Sequence, residues 1–288
     1  MGTATLSKPL CFQSFSLFSL LLFAFATNVI ADNTDSVSKP LVFGVFPYLP
    51  VTRIEKIFTP FAKELEEKLQ RPVYLRTQST FAQFRSAVVA GKYDIIYIQP
   101  FDYIRAAAEN DYVPIVRRSK LLSAIIVTRK DGEIKNLQQL NGKTISMPPE
   151  DAAVSLLGNI ELQLAGMSKD NRININYEKN HVACMKKVLT KKTSACVTAL
   201  APFDYFDHKS GNQLTSIFET RKVSPSLIAV HKRIGINNAE KITQFFLGLE
   251  HTDAGKKLLE SIKMKRFMKT NDEQYDIARE IWMKLNQQ

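Results

Sequence analysis

Apolar runs of four to six residues recur along this chain, and amphipathic stretches separate them. Leu41-Val-Phe-Gly-Val-Phe46 opens the series; Tyr93–Ile98, Ser123–Thr128, Thr144–Met147, Ala195–Leu200 and Ser226–Val230 continue it. A strand with one wet face alternates apolar and polar side chains, so runs without alternation point to strands covered on both faces. Between the first two, Thr52–Leu69 sets Ile54, Ile57, Phe58, Phe61, Leu65 and Leu69 on one helical stripe. Glu64, Glu66, Glu67 and Lys68 fall opposite. Thr80 then caps a helix carrying Phe81, Phe84, Val88 and Val89, which stops at Gly91. Pro72–Arg76, Tyr112–Val116, Ile173–Tyr177 and Thr215–Glu219 read as further strands. Helices follow at about Asp151–Ala165, Val182–Leu189, Ala239–Leu249, Gly255–Ile262 and Asp272–Leu285. This alternation defines an α/β chain with mixed, mostly parallel sheets. No fixed-period self-similarity is present, which excludes repeat folds.

Residues 1–31 read as an export leader. Lys8 is their only charge, Phe15–Ala26 is the apolar core, and Val29-Ile-Ala31 supplies the residues a signal peptidase reads. Cys11 precedes that core, so it is not the lipidated cysteine of a lipoprotein. No later apolar run is long enough to cross a bilayer. Three cysteines are too few for a disulfide scaffold. Export would put Cys184 and Cys196 in an oxidising compartment, where they are either a disulfide or two buried free thiols.

Catalytic and cofactor signatures are missing. The chain has no G-x-x-x-x-G-K-[ST], no G-x-G-x-x-G, no G-x-S-x-G and no H-E-x-x-H. Its four histidines, His181, His208, His231 and His251, stand at no metal-ligand spacing. Glu66/Glu67 and Glu150/Asp151 are adjacent in sequence, so their side chains diverge. The expectation is a binding protein, not an enzyme, without metal or cofactor.

Phe43-Gly-Val-Phe-Pro-Tyr48, Leu65–Val73, Gly91–Tyr103, Ser123–Asp131, Leu137–Thr144, Gly255-Lys-Lys-Leu-Leu259 and Tyr275-Asp276 follow one another along the chain. Together these segments resemble the periplasmic substrate-binding components of ABC transporters for phosphonate, phosphite and phosphate. The resemblance runs from about residue 40 to 285 and implies a two-lobed type II periplasmic-binding-protein fold that closes on its ligand about two crossovers. The crossovers are expected near Thr128–Asp131 and Thr220–Ser224. Residues 40–128 and 225–288 would then form one lobe and 129–224 the other, with the ligand between them.

The resemblance also implies site residues. Tyr48 matches the family's cleft tyrosine after the first strand. Tyr97, Gln99 and Tyr103 flank the strand end where the family places another. His181 matches a histidine that helps bind the oxyanion. The family's Ser-Thr-Ser stretch, whose hydroxyls and N–H groups grip phosphonate oxygens, reads here Pro148-Pro-Glu-Asp-Ala-Ala-Val-Ser155. Two carboxylates replace the hydroxyls, leaving the backbone of Ala152–Val154 and the Ser155 hydroxyl as donors. No acidic residue stands at the family's aspartate position in the strand containing Cys196. Glu150 and Asp151 suit the helix dipole but repel a dianion, so a ligand with a cationic or hydroxyl-rich end fits this stretch as well as a phosphorus oxyanion.

A net charge of +11 raises the question of nucleic acid. The basic pairs Lys186-Lys187, Lys191-Lys192 and Lys256-Lys257 are scattered, and no basic stripe with interleaved aromatics appears. The partners expected are a small-molecule ligand and an ABC permease, with no nucleic acid and a monomeric mature chain in the periplasm. The alternative is a sensor of the same fold that signals to a membrane kinase or cyclase.

Overall fold

The computed structural model describes residues 39–167 and 172–286; the expected leader over 1–31 lies outside the described residues. Two sheets organise the chain. The first contains β1 (Leu41–Val45), β2 (Val73–Thr77), β3 (Ile95–Ile98), β4 (Tyr112–Arg118), β10 (Leu227–His231) and β11 (Phe267–Lys269), in the order β11-β4-β10-β3-β1-β2. The second contains β5 (Ile125–Arg129), β6 (Thr144–Met147), β7 (Asn174–Tyr177), β8 (Ala195–Thr198) and β9 (Leu214–Glu219), in the order β7-β6-β8-β5-β9. In the six-stranded half the helices are α1 (Val51–Leu69), α2 (Phe81–Val89), α3 (Pro100–Glu109), α7 (Ile236–Gly248), α8 (Asp253–Ser261) and α9 (Asp276–Asn286). In the five-stranded half they are α4 (Ala153–Leu164), α5 (His181–Leu189) and α6 (Leu200–Lys209).

The apolar runs occupy the sheet interiors. β3 and β8 are buried at every position, whereas the edge strands β2 and β7 alternate between covered and exposed residues. β1 pairs parallel with β2 and β3, and β6 pairs parallel with β7 and β8. The strands that arrive from the opposite half run the other way. β10 is antiparallel to β3 and β4, and β5 to β8 and β9.

The first crossover is displaced from its expected position. Thr128 and Arg129 pair with Thr215 and Leu214 inside the five-stranded sheet, so the chain changes sheets within 119–124, not at Thr128–Asp131. An apolar strand looks the same in sequence whichever sheet it joins. The second connector lies between β9 and β10, and the two connectors are hydrogen-bonded to each other. Leu122 and Val223 exchange both backbone bonds, each 2.9 Å, and Ala124 N–H donates to the Thr220 hydroxyl at 2.9 Å.

Close packing leaves no room at certain glycines. A Cβ on Gly255, in the first turn of α8, would lie 2.2 Å from the Leu249 carbonyl oxygen and 2.6 Å from its Cα. Backbone cannot swing aside as a side chain can. Gly255→Ala is therefore expected to cost about 3 kcal/mol, the upper end for overpacking. An unchanged urea midpoint would show that this turn relaxes freely.

Candidate ligand site

The C-terminal ends of β1, β3 and β4 and the start of α4 are joined by hydrogen bonds at the junction of the two halves. Gln99 is central to the junction. It is the extended residue before α3, with Pro100 pre-setting the first helical φ, and its side chain makes no cap to its own helix. It reaches across instead. Its Nε2 donates to Asp151 O at 2.8 Å and to Asp102 Oδ2 at 2.8 Å, and its Oε1 accepts from Ala153 N–H at 2.9 Å. Ala152, the residue before α4, has no side chain to cap with. Gln99 thus caps α4 from the opposite half of the molecule.

Arg85 of α2 adds a second bridge. Its Nη1 lies 3.1 Å from Asp151 Oδ2 and 3.5 Å from Asp102 Oδ1. Asp102 is buried, and its pKa is pushed up to about 6, first by desolvation, with the Gln99 bond and the Arg85 charge opposing. Glu150 is exposed and interacts with the Tyr177 hydroxyl. The two carboxylates expected to face a ligand are therefore engaged with the protein's own groups.

His181 is the first residue of α5, behind Asn180, whose side chain accepts from Ala183 N–H at 2.9 Å. Its Nδ1 lies 2.8 Å from the Thr198 hydroxyl at the end of β8. Burial pushes the imidazole down to about 4, so at neutral pH it offers a hydrogen bond but no charge. The folded pKa lies below the unfolded value of about 6.5, so this group's contribution to stability is present above pH 6.5. It is lost as pH falls towards 4, at about 1.4 kcal/mol per unit. Asp102 has the opposite sign, since its raised pKa favours the folded state at low pH and costs stability as pH rises through 6. His181→Gln should remove the first dependence alone. The wild type should lose stability relative to the variant steadily from pH 6.5 to 4, and a pH-independent difference in urea unfolding would contradict the buried neutral imidazole.

Tyr48 and Tyr97 form an aromatic wall with Phe46 and Phe58. The Tyr48 ring centroid lies 5.0 Å from Phe46, 6.1 Å from Tyr97 and 6.4 Å from Phe58. Tyr48 keeps 36% of its surface exposed. Tyr97 is buried, and its hydroxyl accepts from Arg118 Nη1 at 3.1 Å. Tyr103 and Ser155 do not join this group. Tyr103 is fully buried against Tyr275 and donates to Asp272 Oδ1 at 2.5 Å. It lies within α3, where the helix turns it away from the strand end. Ser155 is fully buried too, and its hydroxyl donates back to Pro148 O at 3.2 Å.

Residues that sequence reasoning missed are Arg85, Asp102 and Arg118. Arg118 carried the one readable signal, a charge closing the apolar strand Tyr112–Val116. Among the described residues no group of three or more His, Cys, Asp or Glu is placed to hold a metal ion, and no helix is long and apolar enough to cross a membrane.

Two mixed α/β sheets joined by paired connectors, with polar groups from both meeting at the strand ends, define a two-lobed type II periplasmic binding protein. The chain belongs to the family described as ABC transporter, phosphonate, periplasmic substrate-binding protein, whose model matches residues 43–275. PhnD1 from Prochlorococcus marinus in complex with methylphosphonate is similar in fold, with a TM-score of 0.76 at 19% identity, over 86% of this chain and 98% of that one. A binding-protein component of an ABC phosphonate transporter from Pseudomonas aeruginosa matches with a TM-score of 0.71 at 13% identity, over 84% of this chain and 85% of that one. A Xanthomonas citri protein bound to ATP matches with a TM-score of 0.71 at 14% identity, over 85% of this chain and 96% of that one. No curated protein sequence matches the chain.

Proposed function

We propose that this chain captures a small phosphorus oxyanion between its lobes and presents it to an ABC permease, after export and removal of residues 1–31. It acts as a monomeric binder in the periplasm and turns nothing over. The lobes are residues 40–118 with 225–288, and 125–219, hinged where the connectors pair. The observation that carries the reading is the family match across both sheets, combined with a junction at which groups from both sheets meet. A ligand touching both halves favours the closed arrangement by its differential affinity for it. The family is that of a transport component, which does not favour the sensor alternative.

A melting panel on the mature protein tests this. Phosphate, methylphosphonate and ATP form the oxyanion arm, and a sulfonate and an alkylamine form the other. A ligand at 100 times its dissociation constant adds about 2.7 kcal/mol of stability. Stabilisation by a phosphorus compound alone is expected. Stabilisation by the amine alone would move the ligand to the Glu150/Asp151 side and overturn the reading.

A further inference from the structure

The start of α4 is a poor place for an anion in this chain. Ala153 N–H is bonded to Gln99, Ala152 N–H to Pro149 O at 2.9 Å, and Asp151 sits in the same turn. An oxyanion placed there would have to displace Gln99 and meet a carboxylate. The cleft has cations elsewhere. Arg118 ends β4 beside Tyr97 and within electrostatic range of Tyr48. Its other N–H groups reach only the Ile262 and Lys263 carbonyls, at 3.4–3.5 Å, the long limit of a hydrogen bond.

Three more cations converge on the same region. Arg53, exposed at the start of α1, is within electrostatic range of both Tyr48 and Tyr205. Lys263, at φ 53°, holds its Nζ 5.0 Å from the ring centroid of Tyr205. Lys209 holds its own at 4.6 Å from that ring. Tyr205 and Lys209 belong to α6 of the five-stranded half, while Arg53, Arg118 and Lys263 belong to the six-stranded half. Elsewhere Arg71, Arg76, Arg105 and Arg117 reach carbonyls, an aromatic ring or an amide, while Arg85, Arg129, Arg221, Arg233 and Arg279 are paired with carboxylates. Among the described residues Arg53, Arg118, Lys209 and Lys263 have no such partner.

We propose that the anionic head group of the ligand is held by Arg118, Arg53 and Lys263 beside Tyr48, with Tyr205 and Lys209 closing from the other lobe, and not by the N-terminus of α4. The guanidinium fork of Arg118 matches two oxygens of a tetrahedral dianion, and the surrounding charges compensate its burial. This rests on the oxyanion reading above and moves the head group from hydroxyls and backbone amides to side-chain cations.

The test is calorimetric titration of the mature protein with methylphosphonate and, separately, inorganic phosphate. Arg118→Gln should weaken binding of the preferred anion by about tenfold or more, as loss of a charge-assisted bond does. Arg118→Lys should recover part of it. The exposed pair Arg53→Gln/Lys263→Gln should weaken it severalfold with folding intact, so the outcome does not depend on Arg118 variants being stable. Wild-type affinity in all of these variants would overturn the cationic site and leave the oxyanion function standing. Failure of the wild type to bind either anion would instead remove the function on which the site rests.

Discussion

Loss of the Cys184–Cys196 bridge is expected to lower stability by about 3 kcal/mol, the chain-entropy value for a loop of this size. The cysteines are 12 residues apart and bonded in the structure, with Cα atoms 5.6 Å apart. Both side chains are fully buried, among Ile125, Val127, Met185, Val188, Phe206 and Leu214. Cysteine packs well as a free thiol, so replacing the pair by alanine, or reducing it, removes little burial. The effect therefore comes mainly from releasing the unfolded chain. For a domain of this length it corresponds to a fall of roughly 6–12 °C in Tm. Urea unfolding with and without reductant measures it, and coincident curves would show that α5 and β8 hold together without the bond. Such a bridge suits an oxidising compartment and so agrees with the proposed export.

Gln99→Ala should be comparably damaging, at about 3 kcal/mol. The substitution removes both donor contacts and the acceptor for Ala153 N–H, a group on a residue only 7% exposed. A buried polar group left without a partner costs about 1–3 kcal/mol, and Ala153 N–H is left so. Asp102 keeps Arg85 at 3.5 Å but loses the bond that most opposes its raised pKa. The variant's stability should therefore decline more steeply than wild type as pH rises through 6. The pH profile separates this mechanism from simple loss of packing, which would lower stability equally at pH 5 and pH 8.

What could be read in the sequence follows from what is local. The strands with unbroken apolar runs, the stripe of α1 and the Thr80 cap depend on neighbours within a turn or two. Sheet membership does not, which is why Ser123–Thr128 was readable as a strand while its pairing with β8 and β9 was not. Tyr48, Gln99 and His181 stand at strand ends or a helix start, where the α/β architecture puts ligand groups. The pairing of Asp151 with Arg85 joins residues 66 apart in the chain, and no periodicity encodes it. Glu150 and Asp151 therefore looked like free carboxylates awaiting a cation. Tyr103 lies a full helical turn beyond Gln99 and is buried against Tyr275. The disulfide stayed open in the sequence because two cysteines on adjacent elements are equally compatible with thiols.

The most direct measurement is a calorimetric titration of the wild-type mature protein with methylphosphonate and with phosphate, repeated after refolding to remove carried-over ligand. The account expects one site per chain for at least one of these anions. Heats no different from dilution for both would contradict it.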